Sequence, residues 1–271
     1  MTSASSVNSR ALPRIIATAT IAAAVLASGL LVSGCSGKST ADKPAPRYAD
    51  GSIRLDREPG EKGYWDMPSA TSLVEEGVTV ATDARGKLAN LADAEKVAPF
   101  QPWSLALFKY RQENDLVDDP MKVCIGPGSP RQMMTPGGVR ILQDKNYNRV
   151  YLIFGGGNRN WRVIYMDGRT PPSPDEVTGT FLGNSVGKWE GDTLTAESIG
   201  FNTRFWFSNS GLPHTEALKL TERFTRVSHD VLEYEVTIDD PRTYTRTWKA
   251  KWTLKWVPGD IEERFCEDRR D

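Results

Sequence analysis

The chain of 271 residues contains two histidines, and one of them lies among residues that could move a proton. In the stretch SNSGLPHTEALKLTERF, residues 208–224, His214 precedes Glu216 by two positions and Glu222 by eight. Histidine changes its protonation state near neutral pH, and a nearby carboxylate can orient its ring. This spacing predicts a general acid–base pair of His214 and Glu216. The alternative is a histidine that fixes a loop before a strand through its hydrogen bonds.

The same stretch places an acidic residue on the apolar face of a predicted strand. If the strand begins near Ala217, its inward face carries Leu218, Leu220, Glu222 and Phe224. A buried carboxylate must be paired or protonated. Arg162 is a possible partner, although its alternation with Trp161, Val163 and Tyr165 leaves open which side of its own strand it faces. Glu222 and Arg162 are therefore candidates for an interior polar pair.

Aromatic residues recur on one face of the last predicted strand. Trp248, Trp252 and Trp256 alternate with lysines over residues 248–256. A face of this kind packs inward, and in a hollow barrel it would contact an apolar or aromatic ligand. Trp161 and Tyr165 are the further candidates for ligand contact. The alternative is that these side chains simply fill the core.

No stretch of the sequence predicts a metal, a nucleotide or another cofactor. No group of His, Cys and acidic residues has zinc-like spacing. The acid pairs Asp118-Asp119 and Asp239-Asp240 each precede a proline, which is typical of turns. The segment GNSVG, residues 183–187, matches a nucleophile elbow, but the hairpin sequence KWEGDTLTA follows where that motif needs a helix.

The charge balance also narrows the class of protein. The formal net charge is −1, and the pair Arg223 and Arg226 is interrupted by Phe224 and Thr225. A protein that binds nucleic acid usually carries a basic patch. We therefore expect no nucleic-acid partner, and we expect the arginine pair to lie on a solvated strand face.

From Gly138 onward the pattern of apolar residues changes to the period of two that is typical of strands. About eight short strands separated by tight turns are predicted over residues 138–266, and they would form an antiparallel meander. A meander of eight can close on itself. The predicted fold is mainly β: an eight-stranded lipocalin-like barrel or a curved sheet. An open sandwich of two sheets is the alternative.

Residues 53–120 predict helices and loops that precede the meander. Asp83 could cap a helix that extends to about Val97. A second helix is predicted from Pro102 to about Asn114, with Trp103, Ala106, Leu107 and Tyr110 on one face. Together with the meander this segment makes a single domain, 53–271.

The first 34 residues have the pattern of a secretory signal. Arg10 and Arg14 precede an uninterrupted run of apolar and small residues, 15–31. This run is short and rich in Ala and Thr, which disfavours the alternative of a membrane-spanning anchor. Residues 35–52 are small, polar and proline-containing, and they predict a flexible tether.

The sequence Val32-Ser33-Gly34-Cys35 resembles the bacterial lipobox. The resemblance implies cleavage before Cys35, followed by acylation (as with palmitate) of its thiol and of its new amino group. Acyl chains would then anchor the protein to the membrane of the cell envelope. Ser36 at the next position implies sorting to the outer membrane, facing the periplasm, in a Gram-negative host.

Cys124 and Cys266 remain if Cys35 is lipidated. In an oxidising compartment, two cysteines predict one disulfide, and the alternative is a pair of buried thiols.

Eight segments of the chain resemble a family of uncharacterised exported bacterial proteins. These segments are CIGPGSPR, DGR, NSVGKWEGDTL, GFN, GLPHTEAL, ERF, TIDDP and YTRTW, and the resemblance covers about residues 97–270. The resemblance implies an exported domain with these boundaries, and it implies no particular activity.

Three functions fit these observations. The first is a lipoprotein of the cell envelope that binds a small apolar or aromatic molecule in its barrel. The second is a cofactor-independent acid–base enzyme, an isomerase, hydratase or cyclase, that uses His214, Glu216, Glu222 and Arg162 in the same cavity. The third is an envelope-assembly protein that docks a partner through its N-terminal helices.

Overall fold

In the computed structural model, the described residues are 43–66, 73–158, 160–262 and 266. They belong to one compact unit, Lys38–Asp271, which is mainly β. The predicted signal sequence and Cys35 lie outside the described residues. No helix in the described ranges is long and apolar enough to cross a bilayer.

Nine strands in the described part of the chain form a closed barrel in sequential order. The strands are β1 (Tyr64–Asp66), β2 (Val139–Asp144), β3 (Arg149–Phe154), β4 (Trp161–Tyr165), β5 (Asn184–Glu190), β6 (Thr193–Ile199), β7 (Lys219–Ser228), β8 (Val231–Asp239) and β9 (Trp248–Val257). Neighbouring strands are antiparallel except β4 and β5. The prediction of a mainly-β barrel is confirmed, with nine strands instead of eight.

The additional strand is β1, and it closes the barrel. It pairs with β9 at three positions and with β2 at one, Trp65 to Val139. Trp65 is fully buried. The segment escaped prediction because three residues, Tyr-Trp-Asp, are too few to show an alternating pattern. Its pairing partners lie at the far end of the sequence.

The seam between β4 and β5 departs from the predicted meander. These two strands are parallel and pair at only two positions, Ile164 with Ser185 and Tyr165 with Val186. A parallel pair needs a crossover connection, since a tight turn can join only antiparallel neighbours. Residues 166–183 supply this connection, and residues 200–218 form a connection of similar length between the antiparallel strands β6 and β7.

The barrel interior is filled by side chains from alternating strand positions. On β7, Leu220, Glu222, Phe224 and Arg226 are all buried. Arg226 therefore continues the inward series, and the expectation of a solvated face holds only for Arg223. On β9, Trp248 and Trp252 are buried and Trp256 is half-buried, as their spacing predicted.

Two α-helices precede the second strand: α1 (Ala94–Val97) and α2 (Pro102–Glu113). The predicted helix from Asp83 to Val97 is wrong over most of its length. The Asp83 carboxylate accepts bonds from the amides of Arg85 and Lys87 and so stabilises a turn, in which Gly86 has a φ of +84°. Helical structure begins only after Asn90, with a 3-10 turn over Leu91–Asp93.

Helix α2 has the predicted bounds but buries a different face. Its buried residues are Ser104, Phe108 and Gln112, whereas Trp103 and Tyr110 are largely exposed. The Gln112 side chain bonds to the amide of Leu88 and the carbonyl of Ser210. Because polar contacts to loop backbone orient this helix, the spacing of its apolar residues does not identify the buried face.

The folded part begins earlier than residue 53. Arg47 forms an ion pair with Asp192, and Lys43 accepts a bond at its carbonyl from the His229 amide. Residues 43–52 were predicted as part of a flexible tether. They contact the end of the barrel that carries the β5–β6 turn at Asp192 and the β7–β8 turn at His229, which we call the base of the barrel. At the other end of the chain, Cys124 is bonded to Cys266, with Cα atoms 5.5 Å apart.

Candidate functional site

A buried polar cluster occupies the barrel interior around Arg162 of β4 and Glu222 of β7. Arg162 Nη1 donates to Glu222 Oε1 at 2.9 Å, and Nη2 forms a second bond to Oε2. Strand alternation predicted that Glu222 points inward, and the structure pairs it with the partner named from the sequence.

Serine and tyrosine hydroxyls complete this cluster. The guanidinium also donates to Ser185 at 2.8 Å, to Ser198 at 2.6 Å and to Ser129 at 3.3 Å. Tyr234 donates to Glu222 Oε1 at 2.7 Å. The five N–H groups of arginine therefore all have partners.

Burial and the charge of Glu222 have opposite effects on the pKa of Arg162. Burial alone would lower its pKa, and the charge of Glu222 and the bonds to it outweigh this effect, so the pKa is raised. Burial, followed by the negative charge of Glu222, raises the pKa of Tyr234 well above its usual value. The cluster consequently holds a fixed, fully bonded ion pair across the interior and stabilises the wall formed by β4.

His214 lies in a tight backbone enclosure. Its Nδ1 is 3.2 Å from the Thr215 carbonyl oxygen and its Nε2 is 3.2 Å from that of Phe205. The ring packs on Phe205 with centroids 4.3 Å apart. Burial lowers the pKa of His214, which favours the neutral ring. This arrangement is the one expected of a histidine that fixes a loop.

Glu216 faces a different environment from His214. It lines a cleft of about 530 Å³ at the end of the barrel with Asp175, Lys219, Asp239 and Arg242, and the His214 ring is not part of this lining. Asp240 positions the connecting residue, since its carboxylate accepts bonds from the amide and the hydroxyl of Thr215. The two residues of the predicted pair therefore lie in different environments: His214 is enclosed by backbone, and Glu216 lines an open cleft.

The three tryptophans of β9 pack against other aromatic rings. Trp252 lies 4.6 Å from Tyr234 between ring centroids and donates to the Met133 carbonyl at 3.3 Å. Trp248 packs against Tyr244, and Trp256 against Trp65 at 5.0 Å. Their contacts are those of core residues.

Trp161 and Tyr165, in contrast, face a second cleft. It has a volume of about 420 Å³ and lies at the seam between β4 and β5. Its lining includes Phe181 and Asn184, with Arg162 and Ser185 at the strand edges. Trp161 is 64% exposed, and its ring lies 6.4 Å from that of Tyr151. Of the candidate ligand-contacting residues, these two are the ones that line this cleft.

Cationic side chains surround the aromatic residues of this seam cleft. The guanidinium of Arg169 lies 3.8 Å from the centre of the Tyr165 ring, and Arg149 lies 5.3 Å from it. Arg204 lies 5.6 Å from the Phe181 ring. The cleft therefore combines flat apolar surfaces with nearby positive charge.

The sequence interpretation missed Phe181 and Asn184, which line this cleft. The connection 166–183 is too long for a tight turn, but this length did not signal a parallel pair, because residues 200–218 are equally long and join antiparallel strands. The connection 166–183 carries Arg169 and Phe181, and it makes β5 return parallel to β4, which leaves the seam open beyond its two paired positions.

Comparison of the chain with known proteins gives no match: no family model, no curated protein and no solved structure resembles it. The resemblance to exported bacterial proteins stays a prediction.

Proposed function

We propose that this protein is a binding module of the cell envelope that holds a small planar, largely apolar molecule in the seam cleft. The observation that carries the proposal is the exposed indole of Trp161 beside Tyr165 and Phe181 in a concave site. Large aromatic side chains are normally covered in a folded protein, and clefts that combine them with a few polar groups favour small ligands.

The cations around the cleft favour a ligand that carries a negative group. Arg149, Arg169 and Arg204 lie at its aromatic walls, and guanidinium groups pair well with carboxylates. A planar aromatic carboxylate satisfies both features, since its ring can stack on Trp161 while its charge meets an arginine.

The rigidity of one wall supports the same proposal. Arg162 belongs to β4, and its five bonds attach this strand to β5, β6, β7 and the loop at Ser129. A wall held in this way loses little conformational entropy when a ligand binds.

The location of the module is also part of the proposal. A signal sequence and acylation at Cys35 would place the barrel at a membrane surface of the envelope. Residues 36–42 would then be the connection between the lipid and the described fold. Replacement Cys35→Ser should release the protein from the membrane fraction and remove the mass of the lipid.

Titration of the purified protein with 2-naphthoate, followed by calorimetry, tests the ligand site. We expect binding that Trp161→Ala weakens at least tenfold. Trp189→Ala is the matched control, because Trp189 is 39% exposed on β5 and does not line the seam cleft. Equal weakening by both replacements, or no binding by the wild type, would refute the proposal. Mass spectrometry of molecules that co-purify with each variant then identifies the natural ligand.

A further inference from the structure

Three side chains that can bind metal meet at the base of the barrel, although they lie far apart in the sequence. They are Glu58, Glu61 and His229, and one potential ligand atom from each lies within 4.8 Å of the other two. The sequence predicted no metal site because neither histidine has a second ligand at zinc-like spacing. The fold supplies the missing proximity.

Local structure explains how the two acids come together. Glu58-Pro59-Gly60-Glu61 forms a turn in which the Glu61 amide bonds to the Glu58 carbonyl at 3.1 Å and Gly60 has a φ of +82°. Proline and glycine suit the two central positions of such a turn. Residues at its first and last positions are neighbours, so both carboxylates lie on one side. The Glu58 amide also donates to Glu61 Oε2 at 3.1 Å.

His229 reaches this turn from the hairpin between β7 and β8. His229 and Asp230 are the two residues between these strands. The Arg226 side chain donates to the His229 carbonyl through Nε at 3.1 Å and through Nη2 at 2.5 Å, which fixes the backbone of the hairpin. His229 is only 9% exposed, so its ring has a defined position.

The two nitrogens of the His229 ring have different carboxylate neighbours. Nδ1 lies 2.6 Å from Asp230 Oδ1, and Nε2 lies 3.2 Å from Glu61 Oε1. When Nδ1–H donates to Asp230, the neutral ring presents the lone pair of Nε2 to a carboxylate oxygen. Either a metal ion or a proton between Nε2 and Glu61 Oε1 would bring these two acceptors together at this distance. A carboxylate on the outer nitrogen is also the usual neighbour of a histidine that ligates zinc.

The distances suit a small divalent ion. Zinc binds nitrogen and oxygen ligands at about 2.0–2.2 Å, so neighbouring ligands of a tetrahedral site are about 3.4 Å apart. The separation of Nε2 and Glu61 Oε1, 3.2 Å, is close to this value. Glu58 is exposed, so its side chain can rotate until a carboxylate oxygen reaches an ion that His229 and Glu61 hold. Three protein ligands leave the fourth position to water.

We propose that Glu58, Glu61 and His229 bind a divalent transition-metal ion, with Zn²⁺ best suited to the ligand set, and that Asp230 positions the histidine. The buried cation of Arg226 opposes the binding, and the carboxylates of Glu58, Glu61 and Asp230 outweigh this single charge. The ion would connect the segment before β1 to the hairpin between β7 and β8. It would thus stabilise the base of the barrel, at a site distinct from the seam cleft.

Calorimetric titration of the purified, untagged protein with ZnCl₂ tests the site. We expect one ion per chain and a higher unfolding temperature in its presence. Glu58→Gln and His229→Gln should each weaken zinc binding at least tenfold. Glu58 is exposed, so its replacement keeps the fold even if that of His229 does not. Glu75→Gln, which alters a half-buried acid paired with Arg246, is the matched control and should bind zinc normally.

NMR of the imidazole nitrogens gives a second readout, since the chain has only two histidines. Zinc should change the signals of His229 and leave those of enclosed His214 unaltered. Two results would contradict the proposal. If Glu58→Gln and His229→Gln bind zinc as tightly as the wild type, or if zinc changes neither His229 nor the unfolding temperature, the proposal is wrong. His229 is then only an imidazolium ion paired with its carboxylates.

Discussion

At the scale of single residues, the buried pair of Arg162 and Glu222 shows what strand periodicity can and cannot predict. The alternation of apolar residues on β7 was sufficient to place Glu222 inside, because a side chain two positions from Leu220 must share its face. The partner could be named as a possibility, but the alternation around Arg162 did not decide its side. That decision depends on the residues that other strands bring to Arg162, which are Ser185, Ser198 and Glu222.

Replacement Glu222→Gln should strongly destabilise the protein. It leaves the Arg162 charge buried without a counter-ion, and removal of one partner of a buried pair typically costs about 3–5 kcal/mol. The free energy of unfolding, from urea denaturation, measures the loss. The double replacement Arg162→Met with Glu222→Leu removes both charges and should recover part of the stability. A single replacement without effect would mean that the pair is not buried.

His214 shows what residue type and spacing do not determine. A histidine two residues from a glutamate can be a catalytic pair or part of a loop, and both have the same sequence. Here Phe205 and Thr215 enclose the ring, and contacts from Phe205 belong to a loop whose path follows from tertiary packing alone.

The buried His214 should make stability depend on pH. Because burial lowers its pKa in the folded protein, the unfolded chain binds a proton at this residue first, near its ordinary pKa of 6.5. The neutral ring therefore contributes to the free energy of unfolding above pH 6.5. This contribution is lost as the pH falls toward the lower pKa of the folded state. Urea midpoints from pH 7.5 to 5 should fall more steeply for the wild type than for His214→Gln. Parallel curves would contradict this prediction.

At the scale of elements, the strands of the meander were predictable and the closing strand was not. Alternation is clear on the long strands β7, β8 and β9, and the tight turns on either side helped to locate the shorter strands, so the positions of β2 to β9 followed from the sequence. Strand β1 has three residues, and α2 is oriented by hydrogen bonds of Ser104 and Gln112. In both cases partners distant in the sequence, and not local periodicity, determine the structure.

Arg226 is one of the residues that attach the segment before β1 to the barrel. Its Nη1 donates to the carbonyls of Arg54 and Asp56, both at 2.8 Å, and its guanidinium lies 4.8 Å from the centre of the Trp65 ring. Burial lowers its pKa to about 10, so it stays charged at neutral pH.

Replacement Arg226→Met should cost about 3 kcal/mol, because several buried carbonyls lose their donor. Urea denaturation measures the change. Arg223→Met on the same strand is the control, since Arg223 faces outward and pairs with Glu190 at the surface, so its loss should be much smaller. Similar losses for the two variants would show that Arg226 does not hold the segment before β1.

At the scale of the whole molecule, the disulfide connects the part of the chain before β2 to the C-terminal segment. Cys124 and Cys266 are separated by 142 residues, so their bond restricts most of the unfolded barrel. A cross-link that closes a long loop removes the most entropy from the unfolded chain. For this length the folded state is stabilised by about 4–5 kcal/mol.

Reduction of this bond should lower stability by a similar amount while the barrel remains. Urea unfolding with and without dithiothreitol measures the difference, and circular dichroism checks that strand content is retained. The variant with both Cys124→Ser and Cys266→Ser should match the reduced wild type. A reduced protein as stable as the oxidised one would indicate that the unfolded chain keeps its ends together.

The position of β1 in the ring also determines the order in which the protein can be completed. Strand β1 is made before the other eight described strands, yet Trp256, the partner of Trp65, lies in β9, the last of them. Until β9 has been made, β1 has no second neighbour, and the sheet keeps an open edge. Contacts between such distant residues slow folding and leave strand edges available to other chains. The barrel can therefore close only after β9 has been made and has paired with β1.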